Sequence, residues 1–117
     1  MLAVALGLAL WSVPAEAGWR RTELYFGTSI PDGGEVDEAA FADFVHTEVE
    51  SRFPDGFTLV DAVGEWKGGS EATHVLVVLW RRDRAADEAL DAIRAAYVAR
   101  FQQESVLRVD QRASVGF

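Results

Sequence analysis

The apolar residues of this chain follow strand and helix periods in a fixed alternation: strand, helix, strand, strand, helix, strand. Strand-type patterns occupy four stretches, residues 20–28, 57–66, 73–81 and 105–115. Apolar residues recur every three or four positions over residues 37–52, and Asp37 is a suitable N-cap for that helix. A second amphipathic helix begins at Asp83. Few arrangements of a short chain bury all six elements against one another.

This order predicts an α+β fold of the ferredoxin-like βαββαβ type. Four antiparallel strands form one sheet in the spatial order 4-1-3-2, with both helices on one face. Alternation along the first strand points Leu24 and Phe26 toward the helices. The same argument predicts that Leu107 and Val109 of the fourth strand face the helices too.

The first seventeen residues have the pattern of a secretory signal peptide. Residues 1–13 form an almost unbroken apolar run that is too short to span a membrane, and Pro14-Ala15-Glu16-Ala17 follows as an A-x-A cleavage site. A positive residue before the run, which such signals normally have, is missing; a buried or membrane-anchoring helix is the alternative. We expect cleavage after Ala17, a single domain at residues 18–117, no stable membrane span after cleavage, and a periplasmic or extracellular location.

Composition excludes several classes of function. The formal charge of −8 argues against nucleic acid, because binding to phosphates depends on clustered lysine and arginine. The absence of cysteine excludes disulfides, thiolate nucleophiles and cysteine zinc sites. His46 and His74 lack any metal-ligand spacing, and no phosphate loop or G-x-S-x-G elbow is present. We therefore expect no metal and no cofactor.

The third strand is apolar on both faces, from His74 to Trp80. Strands with this pattern are covered on both sides, although helices cover only one side of a ferredoxin-like sheet. A homodimer in which two sheets face each other would supply the second cover. The alternative is that Trp66 and Trp80 fold over their own sheet.

The polar residues predicted for the helix-free face are the candidate ligand-binding residues: Glu23, Tyr25, Asp61, Glu65 and Arg108. A bulge at Gly64 would alter the side on which Glu65 lies. These residues are either an ion-paired network or a site in which Arg108 binds a small anionic ligand, with Glu23 or Asp61 as a proton acceptor.

Several motifs along residues 21–109 resemble the domain-of-unknown-function 3574 family of bacterial proteins. They are Arg21-Thr22-Glu23-Leu24-Tyr25-Phe26-Gly27, Pro31-Asp32-Gly33-Gly34, Arg52-Phe53-Pro54-Asp55-Gly56, Gly64-Glu65-Trp66 and the segment Gln103 to Val109. The resemblance implies a small protein with an export or lipoprotein signal, and it implies no established activity. This chain departs from the family in having no lipobox cysteine, and in having Glu65 where a glutamine is common.

These observations lead to two hypotheses about function. The first is an exported binding or accessory module of the cell envelope that dimerises through its sheet. The alternative is a small cofactor-independent enzyme of the dimeric α+β-barrel type, with a polar site on the helix-free face. A water-excluding pocket with convergent polar groups would favour the enzyme.

Overall fold

A computed structural model describes residues 18–117 and shows one four-stranded antiparallel sheet with its helices. The elements, in chain order, are β1 (Trp19–Gly27), α1 (Glu38–Phe44), a π-helical segment (Val45–Val49), β2 (Thr58–Trp66), β3 (Gly69–Arg81), α2 (Arg84–Phe101) and β4 (Leu107–Arg112). The strands lie in the order β2-β3-β1-β4. This confirms the predicted βαββαβ fold and strand order. The predicted signal peptide lies outside the described residues.

Both helices begin at the predicted aspartates. Asp37 accepts a 2.7 Å hydrogen bond from the amide of Ala40, and Asp83 accepts one of 2.7 Å from the amide of Ala85. The first helix differs from prediction at its end, where Glu50 N–H bonds to Val45 C=O and the helix widens into a π turn. That turn keeps Val45 and Val49 buried.

The core lies between the sheet and the helices and is rich in aromatic rings. Phe26 of β1 contacts Tyr97 of α2 with ring centroids 4.7 Å apart, and Phe44 of α1 lies 5.0 Å from the same Tyr97 ring. The Tyr97 hydroxyl donates a 2.7 Å hydrogen bond to the carbonyl of Gly27. Leu24 and Phe26 are fully buried, so the predicted orientation of β1 is confirmed.

The β2–β3 connection is tighter than predicted. Trp66 pairs directly with Gly69, and the two turn residues Lys67 and Gly68 have φ angles of 50° and 80°. Two successive positive φ angles match the twist of a hairpin, which extends β3 back to Gly69. Pairing continues regularly through Gly64, so the bulge considered there is absent from this hairpin.

The faces of the outer strands differ from prediction. In the β1–β4 ladder Leu24 is opposite Arg108, and Glu23 is opposite Val109. Directly opposed residues lie on the same side of a sheet, so Arg108 faces the helices and Val109 faces away. The prediction for Leu107 and Val109 is therefore wrong. Val106, two residues before Arg108, is buried, and alternation lets it face the helices only when Arg108 faces them too.

We call the side of the sheet without helices the helix-free face. The same pairing rule places on it the following residues: Arg21, Glu23 and Tyr25 of β1, Val60 of β2, Val75, Val77 and Leu79 of β3, and Leu107 and Val109 of β4.

Candidate functional site

Three polar side chains of β1 form a connected group in the middle of the helix-free face. Tyr25 Oη donates a 2.7 Å hydrogen bond to Glu23 Oε1, and Arg21 Nη2 donates one of 2.9 Å to Glu23 Oε2. Their spacing of two residues puts all three on the same side of the strand. We call Arg21, Glu23 and Tyr25 the β1 cluster. It contains two of the predicted site residues.

The hydrogen bonds of the β1 cluster fix its protonation state. The bond from Tyr25, followed by that from Arg21, lowers the pKa of the Glu23 carboxyl. The same bond to Glu23, and burial to a smaller extent, raises the pKa of the Tyr25 hydroxyl. At neutral pH the cluster therefore holds an ionised carboxylate between a neutral phenol and a guanidinium.

Apolar residues flank the β1 cluster on the neighbouring strands. Glu23 lies between Val77 of β3 and Val109 of β4, and Tyr25 lies between Val75 and Leu107. The Glu23 side chain is 22% exposed, so water still reaches the carboxylate beside its two donors. The cluster can hold one charge in place, and Glu23 can still accept a further hydrogen bond, because an ionised carboxylate has more lone pairs than it uses here.

Arg108 does not belong to this cluster. It faces the helices, where it donates to Asp87 at 2.7 Å, to Asp91 at 3.0 Å and to Asp110 at 3.1 Å. Its side chain is only 11% exposed. The prediction that Arg108 shares the helix-free face is wrong, because the phase of β4 is the opposite of the one expected.

The contacts of Arg108 match an ion-paired network rather than a site that binds an anionic ligand. Burial opposes its charge, but the hydrogen bonds to Asp87, Asp110 and Asp91 together raise the pKa of its guanidinium. The indole of Trp80 donates a 2.8 Å hydrogen bond to the hydroxyl of the buried Thr22, which donates to Asp110. Trp80, Asp87, Arg108 and Asp110 border an open groove of about 640 Å³ at the start of α2. Arg108 thus fastens α2 to β4.

Asp61 and Glu65 also lie away from the β1 cluster. Asp61 pairs with His74, which faces the helix layer, and Glu65 lies near the hairpin turn and accepts a hydrogen bond from Ser70. Their predicted placement on the helix-free face is wrong. Regular pairing through Gly64 sets their phase, and the glycine has a different role: a Cβ there would lie 2.8 Å from Thr73 Oγ1.

His74 is a buried polar residue whose position the sequence argument missed. Its ring stacks on Phe41 at 3.9 Å, and its Nδ1 lies 2.9 Å from Asp61 Oδ1. Its Nε2 lies 3.7 Å from a carboxylate oxygen of Glu38, in the first turn of α1. Alternation from the buried Leu76 could have placed His74 toward the helices. Within residues 18–117 no three His, Asp or Glu side chains are grouped to hold a metal ion.

The fold and the sequence together define the class to which this chain belongs. It is a small α+β domain of ferredoxin-like topology, and none of the helices described over residues 18–117 is long and apolar enough to cross a membrane. The chain belongs to the family described as protein of unknown function (DUF3574), whose model matches residues 21–117. No curated protein matches it.

A solved structure has a similar fold. It is a phage SAM lyase in complex with S-methyl-5′-thioadenosine, with a TM-score of 0.64 and 16% sequence identity. The match covers 82% of this chain and 82% of that one. At this identity the similarity establishes the shared fold only.

Proposed function

We propose that this protein is an exported binding or accessory module of the cell envelope that forms a homodimer through its helix-free face. The pattern of residues 1–17 supports export, and the surface of the sheet supports dimerisation. The observation that carries the proposal is the apolar character of that surface.

Apolar side chains on three strands of the helix-free face are open to solvent. The exposed fractions are 46% for Val60, 48% for Leu79, 59% for Leu107 and 39% for Val109. Val60 and Leu79 lie on one side of the β1 cluster, and Leu107 and Val109 lie on the other side. Soluble monomers rarely leave many large apolar side chains on one face uncovered, so a partner is expected on this face.

The charge distribution favours a second copy as that partner. The chain as a whole is acidic, with a formal charge of −8. At the centre of the helix-free face, however, Arg21 and Glu23 neutralise each other. The four strands carry no net charge, whereas the helical segments carry a net charge of −3, from six acidic residues and three arginines. Two copies can therefore bring their sheets together while their acidic layers point outward, which limits like-charge repulsion.

Light scattering of the purified protein tests the dimer. We expect the wild type to have the mass of a dimer at micromolar concentration, and Leu107→Glu to have the mass of a monomer. The control is Leu59→Glu, because Leu59 is 41% exposed but lies on the other side of β2. A monomeric wild type, or a dimer that survives Leu107→Glu, would contradict the proposal.

The β1 cluster favours a second candidate, a small enzyme with its site on this face. Glu23 stays ionised beside a protonated Tyr25 in apolar surroundings, and that pairing suits binding of a cationic group or movement of a proton. The similar structure is named as a SAM lyase and contains S-methyl-5′-thioadenosine, so a thioether nucleoside is the first ligand to try.

Calorimetry with S-methyl-5′-thioadenosine and with S-adenosylmethionine tests this candidate, together with mass spectrometry for products. Binding that is lost in Glu23→Gln but kept in Glu104→Gln, an exposed glutamate outside the sheet, would support it. No heat of binding and no product would leave the binding module as the sole proposal.

A further inference from the structure

The β2–β3 hairpin extends past the rest of the sheet. The last β1–β3 pair is Gly27 with Thr73, whereas β2 and β3 continue to pair up to Trp66 with Gly69. Residues 63–72 therefore form a two-stranded arm of four residue pairs, which extends about 13 Å at about 3.3 Å per residue. We call this segment the arm.

The base of the arm is fastened to the body of the sheet. The amide and the hydroxyl of Thr28 both donate to the carbonyl of Ala72, at 3.2 Å and 2.8 Å. The amide of Ser29 donates a 2.9 Å hydrogen bond to the Glu71 carboxylate. These bonds fix the direction in which the arm leaves the sheet.

Within residues 18–117, the arm has two large apolar side chains that are open to solvent, Val63 near its base and Trp66 at its tip. Ser70 donates to Glu65 across the hairpin, and Lys67 Nζ lies 5.9 Å from the centre of the Trp66 ring. Trp66 is nevertheless 66% exposed, and Val63 is 73% exposed. A two-stranded hairpin is marginally stable without further packing, and an exposed tryptophan is typical of residues that dominate interfaces.

Trp66 lies on the side of the hairpin that continues the helix-free face. Trp66 is opposite Gly69, and directly opposed residues share a side of the sheet. Gly69 precedes Val75 by six positions on β3, an even number, so Trp66 lies on the same side as Val75. Val63 alternates to the other side. On that side of the arm, the Glu71 carboxylate, held by the amide of Ser29, lies opposite Gly64, and Trp66 lies beyond them at the tip.

We propose that the arm packs against the second copy in the dimer and that Trp66 makes the main contact between the arm and that copy. The inference rests on the dimerisation proposed above. When two helix-free faces meet, the arm extends beyond its own β1 and β4 but still faces the partner. The partner is therefore the surface that covers Trp66, and its apolar residues on the helix-free face have the matching chemistry.

The dimer dissociation constant of Trp66→Ala tests the arm, with Val63→Ala as the matched control. Both changes shorten an exposed apolar side chain of the arm, but only Trp66 lies on the side facing the partner. We expect the dissociation constant to rise at least tenfold in Trp66→Ala and less than twofold in Val63→Ala. Equal constants for both variants and the wild type would overturn the role of the arm and leave the dimer proposal intact.

Hydrogen exchange supplies a second measurement that does not depend on a substitution. In the wild type, amides of residues 64–69 should exchange at least tenfold more slowly at concentrations that favour the dimer than after dilution to monomer. If the protein dimerises but the exchange rates of these amides do not change, the proposed contact between the arm and the partner is contradicted. A wild type that stays monomeric at every concentration would instead refute the proposed dimer itself.

Discussion

Arg108 Nη2 donates a 2.7 Å hydrogen bond to Asp87 Oδ1, which joins β4 to the first turn of α2. Arg108 also donates to Asp91 and Asp110, so one side chain connects three carboxylates from two elements. Arg94 of α2 adds a 3.0 Å hydrogen bond from its Nε to the carbonyl of Val106, just before β4. The connection has a measurable consequence for stability.

Arg108→Ala should lower the free energy of unfolding by about 1–2 kcal/mol, because bonds to charged groups are lost but the half-exposed carboxylates remain screened by water. Urea denaturation measures the change. The control is Arg84→Ala, whose side chain is 89% exposed and which should change stability by less than about 0.5 kcal/mol. Equal effects of the two substitutions would show that the network around Arg108 contributes nothing.

Stability should fall as the pH drops below about 4, near the ordinary carboxyl pKa. Tyr25 and Arg21 lower the pKa of Glu23 in the folded state, and Arg94 foremost lowers that of Asp91. A folded pKa below the unfolded value stabilises the protein above the unfolded pKa, and this contribution is lost as the pH falls through the folded pKa. Thermal unfolding between pH 6 and pH 2 should show a shallower decline for Glu23→Gln than for Glu104→Gln.

Tyr97→Phe should lower the free energy of unfolding by about 1–2 kcal/mol, because the carbonyl of Gly27 loses a buried hydrogen-bond donor. The substitution should also change how the free energy of unfolding depends on pH in the alkaline range. Burial raises the pKa of Tyr97, so its contribution is present below the unfolded value near 10 and is lost as the pH rises toward the folded value. The wild type should lose stability from about pH 10 upward more steeply than Tyr97→Phe. Parallel curves would contradict this assignment.

N-terminal sequencing of the protein recovered from the exported fraction should begin at Gly18. The reason is the A-x-A pattern formed by Ala15 and Ala17, where small side chains fit a signal peptidase. Ala17→Leu, which places a bulky residue at the cleavage position, should accumulate the uncleaved chain, whereas Ser12→Ala should not. A mature chain that begins at Met1 would contradict export.

The candidate site was predictable in part. Alternation along β1 predicts that Glu23 and Tyr25 lie together, and the structure confirms it, because buried Leu24 and Phe26 alternate cleanly with the polar residues. The predicted side is wrong for Asp61, Glu65 and Arg108. The strands that carry them lie at the edges of the sheet, where apolar residues occur on both sides, so alternation gives no unique phase.

The sequence by itself determined the order of the elements, the helix starts at Asp37 and Asp83, and the central position of β1 and β3, because caps, turns and apolar periods are local properties. Only the tertiary structure decided which way β2 and β4 face. The two-residue turn at Lys67 and Gly68 set the phase of β2, and the burial of Val106 set that of β4. A shift of one residue would move every side chain of a strand to the opposite face, so these long-range contacts placed Arg108 with the helices and left the β1 cluster among apolar neighbours.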